Sequence, residues 1–244
     1  MRIAYFSPLN PIPSGISDYS EDLLPYLARY GEVDLFIDRG YLPVNPDVVA
    51  HFRIERYTRF PRVARRRGYD AVLYHVGNNP AHDYIVTMLE RYPGVVVLHD
   101  YVLHHLMVWR AFRHGNGKGY LQAMAGYGEA GRRLAAAMAR GRLLEGAFHY
   151  PLCEGVAGAA RGMIVHSRYV AGRVREVRPD MPLAVVPMGV PQPVLPGREE
   201  ARWRLNLPAD ALILASFGHI NPYKRLEPAL RAFRRLRERY PEAI

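Results

Sequence analysis

The side chains able to do chemistry fall in short loops that follow apolar runs. His99-Asp100 ends the segment Gly94–His99, in which Val95, Val96 and Val97 are consecutive. A histidine at such a strand end can donate to a substrate hydroxyl or accept from it, and a neighbouring carboxylate can tune it. A structural, hydrogen-bonded histidine is the competing reading. His104 and His105 follow one helical turn later, and metal ligation by His99, Asp100 and His104 is the minor reading of this cluster. In His75-Val-Gly77-Asn78-Asn79-Pro80-Ala-His82, the side chains of Asn78, Asn79 and His82 suit sugar hydroxyls, which need paired donors and acceptors. Asn79-Pro80 capping the next helix is the alternative. The loop from Ser7 to Asp18 contains Gly15, which lets backbone approach a ligand, ahead of a helix N-terminus that favours an anion. An ordinary strand–helix turn reads equally from the same residues. The loop has neither the three-glycine dinucleotide fingerprint nor a P-loop. Lys224 closes the turn Gly218-His219-Ile220-Asn221-Pro222-Tyr223-Lys224 near a helix N-terminus. The helix dipole disfavours a cation there, so an anionic ligand would offset the placement; a flexible surface lysine is the plain alternative.

The elements that must hold these loops alternate between strand and helix patterns. Apolar runs at Arg2–Ser7, Val33–Asp38, Phe52–Tyr57, Asp70–Val76, Gly94–His99, Gly162–His166 and Leu183–Val186 read as strands. Runs apolar on both faces indicate a buried parallel sheet. Helical patterns cover Ala81–Tyr92 and Tyr169–Val177, and another ends over Val156–Arg161. In the first helix Asp18 and Glu21 suggest a capping box, Tyr19, Leu23, Tyr26, Leu27 and Tyr30 line one face, and Pro25 should kink or shorten it. Tyr101–Phe148 breaks the rhythm as a helical excursion interrupted at His114–Gly119. Pro187–Gly197 is a proline-rich linker, Arg198–Leu205 a short helix, Ala211–Phe217 a fresh strand and Leu226–Tyr240 a helix. The expectation is an α/β fold with a Rossmann-like doubly wound parallel sheet over 1–190. A linker and the start of an incomplete second Rossmann-like domain would occupy 191–244. Ligands of such sheets bind beyond the carboxyl ends of the strands, here the loops after residues 7, 76, 99, 166, 186 and 217.

Composition narrows the partners. The 244 residues are 49% hydrophobic and 23% charged, enough apolar material for a core and too little charge for disorder. The net charge of +10 invites a polyanion or an anionic membrane face, or else reflects solvated arginine-rich helices. Arg65-Arg66-Arg67 and Arg231–Arg239 lack interleaved aromatics, which argues against a nucleic-acid partner. With Cys153 the single cysteine, there is no internal disulfide and no cysteine metal cluster, as suits a reducing compartment. The N-terminus carries no signal-peptide pattern and no stretch reaches the ~20 apolar residues of a membrane span. A cytoplasmic location is expected, with a peripheral position at the inner membrane face as a further implication of the charge.

Taken in order, these motifs resemble the family 4 retaining glycosyltransferases of the GT-B fold, over nearly the whole chain. They are Ser14-Gly15-Ile-Ser-Asp18-Tyr19, Gly77-Asn78 with His82, Val97-Leu98-His99-Asp100, Ile164-Val165-His166-Ser167, Val186-Pro187-Met188-Gly189-Val190, and Phe217-Gly218 with Lys224-Arg225-Leu226. The resemblance implies transfer of a sugar from a nucleoside diphosphate sugar to an acceptor hydroxyl, with retention at the anomeric carbon and without a metal. It implies a sugar or lipid-linked acceptor. His99 would sit beside the transferred sugar, with Asp18, Asn78, Asn79, His82 and Asp100 on the acceptor or sugar side. Gly15, Gly218, His219 and Lys224 would lie by the donor phosphates, and Ser167 and Gly189 at the cleft between domains. His219 stands where the family often has an arginine. The family's donor-binding glutamate pair has no counterpart before Ile244, so the chain reads as a fragment of a longer enzyme.

Two other functions fit parts of the pattern. A non-catalytic module of the same fold would bind a sugar or lipid head group without donor turnover. A nicotinamide-dependent oxidoreductase would need the glycine fingerprint that the first loop lacks.

Overall fold

A computed structural model describes residues 1–140, 145–190, 192–218, 220 and 224–244. The chain divides into two compact units, Met1–Pro191 and Gln192–Ile244.

The first unit is built on a parallel sheet of seven strands: β1 Arg2–Phe6, β2 Glu32–Ile37, β3 Arg53–Arg56, β4 Ala71–Val76, β5 Val95–Leu98, β6 Gly162–Val165 and β7 Leu183–Val185. Their order is β3-β2-β1-β4-β5-β6-β7. The chain therefore winds outward from β1 in one direction, then returns to β4 and winds in the other, which is the doubly wound arrangement. The helices are α1 Gly15–Leu27, α2 Pro46–His51, α3 Phe60–Arg67, α4 Asp83–Arg91, α5 His104–Arg113, α6 Gly117–Ala125, α7 Gly128–Ala139, α8 Glu154–Ala159 and α9 Arg168–Val177. Strand residues alternate between two cores, as a period of two requires. Ile3, Tyr5, Leu35 and Ile37 pack under α1 and α2 with Leu24 and Val48. Ala4, Phe6, Phe36, Tyr74, Val76, Val96 and Leu98 pack on the opposite face with residues of α3, α4, α8 and α9. The excursion after β5 is α5, α6 and α7, which close on a small core of their own around Met124, Leu134 and Leu152.

Several local expectations change. The cap of α1 is Ser14, whose Oγ accepts from Ile16 N at 3.2 Å; Asp18 lies inside the first turn. The helix starts earlier than the capping-box pattern suggests because Ser14 has the extended backbone that a cap requires. Its buried face is Ser17, Ser20, Glu21 and Leu24, while Tyr26 and Tyr30 are exposed. The polar face wins because it lies over polar partners: Ser20 Oγ is 2.7 Å from Ser7 Oγ, and Glu21 Oε1 accepts from Asn10 N at 2.8 Å. The helix runs through Pro25 and ends at Leu27. The short helices α2 and α3 were not expected.

The second unit carries α10 Arg198–Arg204 and α11 Leu226–Arg239. Ala211–Phe217, expected as a strand, forms none. Among the described residues its backbone pairs only with the end of the chain, Leu214 N to Ile244 O at 2.9 Å and Ile244 N to Leu212 O at 3.0 Å. A β conformation needs a neighbour along its length, and one terminal residue does not provide it.

Candidate functional site

The strand order places a topological switch between β1 and β4, where the following helices leave in opposite directions. Pairing then sets what meets there. Tyr5 pairs with Leu73, His75 with Val97, and Leu98 with Val165. Stepping by twos along each strand keeps Tyr5, His75, His99 and His166 on one face, the face under α1. Their rings pack in a row. Tyr5 and His75 have centroids 4.4 Å apart, His75 and His99 5.3 Å, and His99 and His166 4.9 Å. Tyr19, projecting from the first turns of α1, stands edge-on to His99 at 4.9 Å and to His166 at 5.5 Å.

Hydrogen bonds lock this row from behind. His75 Nδ1 and His99 Nε2 are 3.0 Å apart. His82 Nδ1 donates to the His75 carbonyl at 2.8 Å, and His166 Nδ1 donates to the Val186 carbonyl at 2.9 Å. His75 Nε2, His82 Nε2, His99 Nδ1 and His166 Nε2, with Tyr5 OH and Ser17 Oγ, are buried polar atoms with no hydrogen-bond partner among the described residues. Such a concentration is unusual, because each unpaired buried polar group costs about 1–3 kcal/mol. Burial pushes His75 well below the usual imidazole range, helped by His99, His82 and His166 nearby. Burial also brings His99 down to about 3, with His166 and His82 adding to it, and brings His82 down to about 4 against the His75 carbonyl and Asp100. These three rings are neutral near pH 7.

The residues singled out by sequence separate into groups. His99 stands in the row at the carboxyl end of β5. Asp100 is exposed, and its Oδ2 accepts from Asn78 N at 2.8 Å, latching the loops after β4 and β5 together. Asn78 spends its amide on structure: Oδ1 accepts from Leu106 N and Nδ2 meets His105 Nδ1, both at 3.0 Å, so it caps α5 from outside. Asn79 Oδ1 accepts from Ala81 N at 2.9 Å and caps the 3-10 turn Pro80–His82, the alternative left open by its sequence. His82 is fully buried beneath Gly77. A methyl group at Gly77 would stand 3.2 Å from His82 Nε2 and from Asp100 Oδ2, and 2.3 Å from Ile16 Cδ1. His82 therefore supports the loop from below and does not face an acceptor, which corrects its reading as a sugar ligand. Asp18 is exposed and accepts from Asn10 Nδ2 at 3.0 Å. Gly15 opens α1, exposed and with nothing within 4 Å of where a Cβ would be, next to the Ser14 cap that takes up Ile16 N. Ser167 caps α9, its Oγ accepting from Val170 N at 3.2 Å, and Gly189 is exposed after β7. In the second unit Gly218 adopts φ +125°, a backbone suited to glycine, and Lys224 is exposed just before α11. His219 lies outside the described residues.

His75, His166, Tyr19 and Tyr5 were given no site role by the sequence, although His166 and Tyr19 fall within its motifs. The signal that points to the histidines is their position at or just past the ends of three apolar runs, which become neighbours only once the strand order is known. Among the described residues no three or more His, Cys, Asp or Glu side chains are grouped to hold a metal ion, and no helix is long and apolar enough to cross a membrane. No protein-family model matches the chain, and no curated protein matches it.

Proposed function

We propose that the protein is a retaining glycosyltransferase that uses a nucleoside diphosphate sugar. The observation that carries this reading is one end of the sheet where the first turns of α1, opened by the exposed Gly15, adjoin a row of imidazoles, of which His75 and His99 are held neutral by burial. A helix N-terminus favours the diphosphate, and neutral imidazoles favour hydroxyls, which both donate and accept. In this reading Gly15 of the first unit and Gly218, His219 and Lys224 of the second are the candidate donor-phosphate residues. His99 contacts the transferred sugar. Lysine and backbone amides stabilise the departing diphosphate, so the chemistry calls on no metal. The acceptor is a sugar or lipid-linked hydroxyl. The charge of +10 supports peripheral contact with an anionic membrane, tested by salt-sensitive binding to anionic liposomes.

One observation favours the non-catalytic reading. His99 Nε2 already faces His75, which leaves His99 suited to holding a hydroxyl and not to shuttling a proton. The two readings part in one experiment. Nucleotide release is measured with a panel of nucleoside diphosphate sugars for wild type, His99→Ala and Lys224→Ala. The transferase reading expects release from at least one donor, reduced about 100-fold in each variant. Release from no donor, or unchanged release in both variants, overturns it.

A further inference from the structure

We infer that His75, His99 and His166 form a preset hydroxyl-binding relay, in which one ligand O–H bridges His99 Nδ1 and His166 Nε2. His75 is the positioning residue. This rests on the sugar-binding reading of the same edge and adds to it which atoms meet the sugar.

The protons can be assigned from the contacts. A carbonyl only accepts, so His82 and His166 carry hydrogen on Nδ1, which bonds His75 O and Val186 O. With Nδ1–H so fixed, Nε2 of His82 is a bare acceptor, and Nε2 of His166 is one whenever that ring carries a single proton. The contact of 3.0 Å between His75 Nδ1 and His99 Nε2 admits two arrangements. If His99 donates, His75 must hold its proton on Nε2, an N–H sealed in the interior with no acceptor. If His75 donates, its Nε2 is a bare lone pair, and the unmatched N–H passes to Nδ1 of His99, the half-buried ring at the loop. The second arrangement is favoured, because His75 is sealed in the core while His99 is only partly buried, so its Nδ1, covered beside Tyr19, comes within reach of a ligand when that side chain rotates.

His99 Nδ1–H and His166 Nε2 are then a donor and an acceptor on rings whose centroids are 4.9 Å apart. Neither has a partner among the described residues. One oxygen with two hydrogen bonds of about 2.8–3.0 Å can span such a pair. The group that fits accepts one hydrogen and donates another, which describes a hydroxyl. A phosphate or carboxylate oxygen has no hydrogen to give to His166. Tyr19 stands edge-on to both rings, so entry requires its side chain to rotate.

The test is long-range proton–nitrogen NMR on histidine-labelled protein. His75, His82, His99 and His166 are all expected as Nδ1–H rings with unprotonated Nε2. His75→Asn, which keeps a side-chain N–H donor, should preserve the His99 form. A folded His75→Leu should release His99 to the Nε2–H form. His99 found as Nε2–H in wild type, or unchanged in His75→Leu, overturns the relay. Methyl glycosides of glucose, mannose and galactose are then added at high concentration. A shift of the His166 Nε2 resonance with at least one glycoside supports a sugar hydroxyl in the bridge. No shift with any of them assigns the bridging O–H to solvent and overturns the ligand role. None of these readouts needs donor turnover, so failure of the relay and failure of the transferase reading are separately visible.

Discussion

The two ends of the same strands solve opposite problems. At the amino ends of β1 and β2, charges are paired. Arg2 N donates to Asp70 Oδ2 at 2.6 Å, Arg2 Nε to Glu32 Oε2 at 3.0 Å, and Arg67 Nη2 to Glu32 Oε2 at 2.6 Å. The buried Asp34 meets Arg67 Nε at 2.8 Å and accepts from Tyr69 OH at 2.5 Å. At the carboxyl ends the side chains are imidazoles, and several of their nitrogens lack partners among the described residues. A fold maintained for stability alone pairs its buried polar groups. Leaving them unmatched at one end, on the side where doubly wound sheets bind ligands, marks that end as the candidate binding side and the opposite end as the stabilising one.

Acidification should divide the two ends most strongly. The folded pKa values of His75, His82 and His99 lie below the ordinary 6.5, so below that pH the unfolded chain takes up protons that the folded chain refuses. Their neutral packing costs nothing extra above pH 6.5, and stability falls as pH drops toward about 4, where His82 begins to titrate. The slope in urea midpoints should approach about 1.4 kcal/mol per pH unit for each such histidine. Glu32 is lowered by its bonds to Arg2 and by charge, so its contribution is lost only below the ordinary carboxylate range. The histidine end thus gives way first. A flat stability profile between pH 6.5 and 4.5 would break the contrast.

Asp34→Asn should cost about 3 kcal/mol, since it leaves Arg67 without its buried counter-charge, and donor turnover of the folded protein should persist. His99→Ala should shift the loss toward turnover: it removes one unpaired nitrogen but leaves the buried His75 Nδ1 without its partner, so stability should fall by about 1–3 kcal/mol, while turnover falls about 100-fold. Glu32→Gln should have the smallest effect on the urea midpoint, diminished further by salt, because Glu32 is exposed. A larger, salt-independent loss would show that the amino-end pairs act as one buried network.

Much of the frame was legible in the sequence because apolar runs of strand length leave a strong imprint. All seven strands of the sheet, the excursion after β5 and α11 lie where the pattern puts them. What failed was local. The face of α1 was misread because its buried residues are serines and a glutamate, which hydrophobicity does not flag, and α2 and α3 are too short for a clear period. Ala211–Phe217 has strand composition, yet composition supplies no neighbouring strand. For the candidate site, the place of His99 at a strand end was legible. His75 and His166 were not, because they join His99 through parallel pairing between segments far apart in sequence. Asn78 and His82 were misjudged for the same reason: their partners, Leu106, His105 and the His75 carbonyl, are fixed by tertiary packing.

The most direct measurement takes Asp34→Asn and His99→Ala side by side, with urea midpoint and nucleotide release from the best donor recorded for each. The expected result is that folded Asp34→Asn loses stability and keeps release, while folded His99→Ala loses release about 100-fold. If folded His99→Ala retains wild-type release, the carboxyl ends of these strands are not the binding end proposed for them.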